Sequence, residues 1–200
     1  MFTGIVRGIG RIVDVDGEGD ARRLAIETGG LATGGWQIGD SVAVAGVCLT
    51  VVTLADGRFE ADLSGETLRR TTLGRLGAGK LVNLEPAVLA AGALGGHLVT
   101  GHVDGVARVG QVAESSGSLH ATIEAPPALA RYIAAKGSVT LDGVSLTVGD
   151  VSGVTFGVDI VPHTRAVTTL GNVAAGQPLN LEVDLIARYL ERLLEARGVR

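Results

Sequence analysis

The chain has 200 residues, of which 46% are hydrophobic and only 3% aromatic, with 31 glycines, 5 prolines, one cysteine and a net charge of −4. Such a composition supplies a core, excludes a disordered chain and leaves no basic footprint for nucleic acid. One cysteine cannot close an internal disulfide, no apolar run reaches the roughly 18–20 residues that cross a bilayer, and the repeat described below starts at Thr3, leaving no room for a signal peptide; a soluble cytoplasmic protein without membrane contact is expected.

In chain order, residues 5–15 read as a strand interrupted by Gly8 and Gly10, and residues 22–28 alternate polar and apolar side chains. Residues 41–53 form a long β-branched run, residues 58–63 alternate again, residues 67–76 predict one or two helical turns, and residues 81–85 close the unit. Short, evenly spaced strands in a unit this small predict a closed antiparallel barrel or a sandwich, with Gly8, Gly46 and Gly74 at its bends. Residues 86–96, rich in Ala and Gly, read as a linker.

The plan then repeats. Ser41-Val42-Ala43-Val44-Ala45-Gly46-Val47-Cys48-Leu49-Thr50-Val51 returns as Ser138-Val139-Thr140-Leu141-Asp142-Gly143-Val144-Ser145-Leu146-Thr147-Val148, an offset of 138 − 41 = 97. The same offset carries Thr3-Gly4 onto Thr100-Gly101, Thr71-Thr72-Leu73-Gly74 onto Thr168-Thr169-Leu170-Gly171, and Asn83-Leu84-Glu85 onto Asn180-Leu181-Glu182 without a gap. The chain is a tandem duplication, and a repeat of this length is the size of one domain. The expected organisation is a first barrel over residues 1–90, a second over 98–184, and a helix over 185–198. In that helix Ile186, Tyr189, Leu190, Leu193 and Leu194 recur at steps close to 3.6, opposite Arg188, Glu191, Arg192 and Glu195. Asp184 is the expected N-cap and Gly198 the stop. The stripe is either a lid on its own barrel or an oligomerisation surface.

Several chemistries are missing from the sequence. Gly8-Ile9-Gly10 lacks the third glycine of a dinucleotide fingerprint, and the four histidines, at 97, 102, 120 and 163, show no metal-ligand spacing. Neither a metal nor a nucleotide cofactor is expected. What remains is the difference between the copies: Cys48 faces Ser145, Ile5 faces His102, Glu66 faces His163 and Ala87 faces Asp184, while Thr50 and Thr147 match, as do Asp62 and Asp159. A hydroxyl two residues from a thiol or hydroxyl on one strand shares its face and can hydrogen-bond a planar polar ligand.

The opening Met-Phe-Thr-Gly-Ile-Val, the segments 46–51, 95–105 and 142–148, and the runs Glu66-Thr67-Leu68-Arg69-Arg70-Thr71 and Ile160-Val161-Pro162-His163-Thr164 together resemble the riboflavin synthase family of the alpha-chain type. The resemblance implies an all-β fold of two tandem six-stranded antiparallel closed barrels plus a C-terminal α-helix, assembled as a homotrimer by those helices. It implies sites between the first barrel of one subunit and the second barrel of its neighbour. It also implies a cofactor-free dismutation: two 6,7-dimethyl-8-ribityllumazine molecules give riboflavin and 5-amino-6-(ribitylamino)uracil by transfer of a four-carbon unit. Lumazine synthase becomes a candidate partner.

Carried over by position, the catalytic residues are Cys48, His102, Ser145, Thr147 and Asp184. Phe2 is expected over the first ring, and Gly4, Ile5, Val6, Ser41, Leu49, Thr50, Asp62, Leu63, Ser64, Gly65, Glu66 and Thr67 line the first pocket. Gly101, Val103, Lys136, Leu146, Val161, Pro162, His163 and Thr164 join His102 in the second. Ala45 stands where the family commonly has Asn, and Ser64 where Met is frequent. Two alternatives stay open: a non-catalytic lumazine- or flavin-binding relative, although such relatives are degraded at the thiol and the histidine that are intact here, and a structural double barrel that binds no pteridine.

Overall fold

The computed structural model describes residues 1–198. Strands β1 (Gly8–Asp16), β2 (Arg22–Glu27), β3 (Ser41–Val44), β4 (Val47–Ala55), β5 (Arg58–Leu63) and β6 (Leu81–Pro86) close a barrel in the order β1-β2-β5-β4-β3-β6. Strands β7 (Gly105–Ser115), β8 (Ser118–Glu124), β9 (Ser138–Leu141), β10 (Val144–Ser152), β11 (Thr155–Ile160) and β12 (Pro178–Val183) close a second barrel with the same neighbours, each strand number raised by six. All neighbouring pairs are antiparallel, as β2 with β5 and β8 with β11 illustrate. The described residues also form three α-helices, α1 (Gly65–Arg70), α2 (Pro162–Val167) and α3 (Leu185–Ala196).

Period-two alternation decides which side chains can work. In β4 Val47, Leu49 and Val51 are buried in the barrel while Cys48 and Thr50 are not, and in β10 Val144, Leu146 and Val148 are buried while Ser145 and Thr147 are not. The thiol and hydroxyls therefore lie on the outer walls. Inside, Phe59 with Leu24 and Phe156 with Ile123 head the two cores, each such side chain contributing about 1.5–3 kcal/mol on burial.

The run at residues 41–53 is two strands. Ala45 and Gly46 have φ of +46° and +79°, and Asp142 and Gly143 repeat this at +46° and +78°. Two consecutive left-handed residues make the type I′ hairpin whose twist suits antiparallel strands. Its usual sequence is Asn-Gly, so Ala-Gly inside a valine-rich run hides the turn. The two hairpin tips touch: a Cβ on Gly46 would come within 2.6 Å of the Gly143 nitrogen, and one on Gly143 within 2.7 Å of the Gly46 nitrogen. Around them the halves interlock reciprocally. Asn83 Nδ2 donates to Asp142 O (2.9 Å) and its Oδ1 accepts from Thr169 N (2.8 Å); Asn180 Nδ2 donates to Ala45 O (2.8 Å) and its Oδ1 accepts from Thr72 N (2.7 Å).

The tips are unequal. Asp142 Oδ1 accepts from the Asn180 N–H at 2.7 Å, an acceptor Ala45 cannot offer to Asn83. Ala45→Asn supplies it and suits the left-handed backbone, so it should stabilise by about 1 kcal/mol and raise Tm by roughly 2–4 °C. An unchanged or lower Tm in thermal unfolding contradicts that.

Burial pushes the Asp142 carboxyl from 3.8 up to about 7. The folded chain then holds a proton that the unfolded chain has released, so stability is full below about pH 4 and falls as pH rises through about 7. Asp142→Asn keeps the acceptor without the charge. Between pH 5 and 8 its Tm should fall less than that of the parent; equal slopes would refute the assignment.

Helix α3 is capped as expected, Asp184 accepting from Ile186 N at 2.9 Å and Gly198 following with φ +69°. Its orientation distinguishes the two readings of its stripe. Ile186 and Leu193 are 64% exposed and Tyr189 65%, with Leu190 at 55%. The opposite, polar face meets the chain's own second half: Arg188 pairs with Asp104, and Glu191 with Arg131 and Tyr132. The apolar face is not a lid.

Candidate functional site

Two loops change barrels. Thr3 N, Thr3 Oγ1 and Gly4 N all donate to the buried Glu85 carboxylate at 2.7–3.0 Å, and Thr100 N, Thr100 Oγ1 and Gly101 N do the same to Glu182 at 2.6–3.0 Å. Burial pushes the Glu85 carboxyl up, opposed by those donors. Thus held, Gly4 presents its carbonyl to Ser145 N (2.8 Å) and Gly101 presents its own to Cys48 N (2.9 Å). Val6 packs on the core of the second barrel and Val103 on that of the first. The structure therefore regroups the expected pockets: residues 101–103 belong with Cys48, and residues 4–6 with Ser145.

Beside Cys48 lies a cleft of about 400 Å³. It gathers Cys48, Glu66, Thr67, Gly101, His102 and Val103 from the expected residues and adds Val47, Arg70, Thr71, Asp104 and Arg188. Asp104 carried a signal, since its counterpart Arg7 has the opposite charge; Arg188 lies beyond the repeat, where no register could mark it. Arg70 and then Arg69 hold the Glu66 carboxyl below its ordinary range, at 2.8 and 3.3 Å.

Other expected residues have different neighbours. Leu49, Leu63 and Leu146 point into the barrel cores. Phe2 is fully buried against Ala43, Val99 and Cys48. Asp62 is gripped by Arg23 at 2.6 and 3.0 Å, which holds its carboxyl below the usual range. Ser64 caps α1 by accepting from Thr67 N, and Gly65 is the first residue of α1. Thr50 lies on the outer wall opposite Ser41, which lines a separate cleft with Trp36.

The second group centres on Ser145, whose Oγ is 2.8 Å from His97 Nδ1. Burial pushes the imidazole of His97 down, opposed by Asp184 and Glu182. His97 is a residue that matching the two copies could not reveal, having no counterpart in the first. Ile5 lies against Gly95, and Thr147 shares the outer face of Ser145. Lys136 has φ +65° where the first copy has Gly39, held there by its N–H to Val148 O at 2.9 Å. The first copy makes the same left-handed turn with glycine, Gly39 at φ +98° donating to Val51 O at 2.8 Å. Val161 occupies the N-cap position of α2 without a side-chain cap, Pro162 opens the helix, and His163 and Thr164 follow in its first turn. Among the described residues no group of three or more His, Cys, Asp or Glu is placed to hold a metal, and no helix is long and apolar enough to cross a membrane.

The fold and its exchanged loops define a class, the tandem double barrel. The family model of the lumazine binding domain matches residues 3–87 and again 100–184, boundaries set apart by the repeat offset. Riboflavin synthase of Mycobacterium tuberculosis (strain ATCC 25618 / H37Rv) is 46% identical over 99% of this chain and 100% of its own. That of Photobacterium phosphoreum is 44% identical, over 97% of this chain and 89% of its own. LumP solved in complex with 6,7-dimethyl-8-(1′-D-ribityl)lumazine is 27% identical, with a TM-score of 0.82 over 92% of this chain and 99% of that one. The chain belongs to the lumazine-binding-domain family and, at these identities over nearly its full length, to the riboflavin synthases within it.

Proposed function

We propose that the chain makes riboflavin as a cytoplasmic homotrimer, by dismutation of two 6,7-dimethyl-8-ribityllumazine molecules held at the Cys48 and Ser145 sites of adjoining subunits. The observation that carries this is near full-length identity to riboflavin synthases, together with a cleft that brings Cys48 and His102 side by side. One lumazine loses a proton from its 7-methyl group, whose anion delocalises into the pteridine; the other accepts a nucleophile at C7 and gives up four carbons. Holding the two rings in opposed senses supplies much of the rate. In this reading Cys48, His102, Ser145, Thr147 and Asp184 touch or orient the reacting rings, and Lys136 reaches the second one. The outward apolar stripe of α3 supports the assembly. A physical association with lumazine synthase belongs to the same proposal and is read by co-sedimentation.

The LumP complexes favour a second reading, a carrier that binds lumazine without converting it. Identity to LumP is 27%, against 44–46% to the synthases, and the thiol and histidine are both in place. The lumazine alone, with protein and EDTA, separates the two. Yellow flavin absorbance should grow; a change in lumazine fluorescence without flavin means a carrier, and recovery of a lost activity on adding metal means a metal is needed.

The thiol itself is expected to orient the pteridine. Cys48→Ser keeps a hydrogen-bonding group and copies the Ser145 site, so turnover should fall about tenfold or less, near 1.4 kcal/mol. A nucleophilic or proton-abstracting thiolate would instead cost more than roughly a hundredfold. Steady-state rates of Cys48→Ser and Cys48→Ala decide it, because a serine variant as impaired as the alanine one means the thiol has a chemical role.

A further inference from the structure

Residues 101–104 cross the first cleft, and both ends are pinned. At one end Gly101 N donates to Glu182. At the other, the Asp104 side chain is only 11% exposed, accepts from Val183 N at 2.9 Å, and meets Arg188 Nη2 at 2.8 and 2.9 Å through its two oxygens. His102 and Val103 lie between the pins and line the cleft, Val103 also packing on the first barrel's core. Arg188 projects from the face of α3 opposite the apolar stripe, and its buried Nε finds no partner among the described residues. The side chain therefore enters the cleft wall and is not merely a solvated charge. The first copy has no such device: the position matching Asp104 is Arg7, and α3 with Arg188 follows the second copy alone.

We propose that the Asp104–Arg188 ion pair makes α3 a strut for the first cleft, so that both are positioning residues that hold His102 over the ligand beside Cys48. This rests on reading the cleft as a pteridine site. It ties the helix whose outer face is free for assembly to the first cleft. Removing Arg188 leaves the Asp104 carboxylate, 11% exposed, with the Val183 N–H as its remaining partner, a cost that solvent at the 40% exposed Arg188 side chain moderates.

The test compares the full-length parent with Arg188→Met, which keeps the stem but not the charge, and Arg188→Lys, which keeps the charge. Hydrogen–deuterium exchange reads the strut without ligand: amides of residues 101–104 should exchange about tenfold faster in Arg188→Met and near the parent rate in Arg188→Lys. Fluorescence titration with 6,7-dimethyl-8-ribityllumazine should show about tenfold weaker binding at one class of site in Arg188→Met, with sedimentation unchanged. Unchanged exchange at residues 101–104 overturns the strut. So does a binding loss that appears only when Arg188→Met also sediments as a smaller species. Should the parent itself leave the lumazine unbound while the exchange difference persists, the pteridine reading fails and the strut stands as a purely structural link.

Discussion

Replacing Leu190 and Leu193 together by aspartate should give a monomer whose barrels are intact and whose flavin formation has fallen at least a hundredfold. Both side chains lie on the outward face of α3, at 55% and 64% exposure, and neither belongs to a barrel core. In an assembly each would bury apolar surface contributing about 1.5–3 kcal/mol, and a carboxylate in its place would carry an uncompensated charge into the interface. The ties of α3 to its own chain, through Arg188 and Glu191, lie on the opposite face and survive the change. Sedimentation velocity, circular dichroism and turnover are read together. A double variant that still sediments as a trimer removes the stripe from the assembly, and a fully active monomer removes the shared site.

Gly101→Ala should be nearly as damaging from a single methyl group. Its φ is +79°, and the added Cβ would stand 2.6 Å from Cys48 Cβ, 2.9 Å from Cys48 N and 3.0 Å from the ring of Phe2. None of those atoms is the free end of a flexible side chain. Left-handed strain of about 1 kcal/mol adds to overpacking of about 1–3 kcal/mol, and the loop that presents His102 must lift off Cys48. A displacement near 1 Å costs on the order of a hundredfold in rate. Gly19→Ala provides the control, because Gly19 has φ +66° and nothing within 4 Å of the added methyl. It should lose about 1 kcal/mol of stability and no activity. Turnover of Gly101→Ala within about threefold of the parent would show that the close approach does not position the site.

The duplication was legible because identical residues recur in register; short, evenly spaced strands left a barrel and a sandwich open, and the resemblance to the family implied the barrel. Gly46 was placed at a bend, but residues 41–53 were still read as one run, since the asparagine that would mark a two-residue hairpin is absent. The exchange of residues 4–6 and 101–103 between barrels was invisible for a deeper reason. Sequence reasoning assigns a segment to the domain that contains it, whereas Gly101 is bonded across the interface to Cys48 by one carbonyl. His97 and Arg188 were missed alike, because comparing the copies finds only residues that have a counterpart. The outward turn of α3 could not be read either; its two faces were plain, but which one meets the barrel depends on Asp104 and Tyr132, far away in the chain.

Product stoichiometry tests the central claim most directly. Purified protein is given 6,7-dimethyl-8-ribityllumazine as the sole reactant, and lumazine consumed, riboflavin and 5-amino-6-(ribitylamino)uracil are measured over time. Two lumazines should disappear for each riboflavin, with an equal amount of the uracil and no other carbon source. Lumazine that binds and is recovered unchanged, or riboflavin formed outside that ratio, would contradict a dismutation between two paired sites.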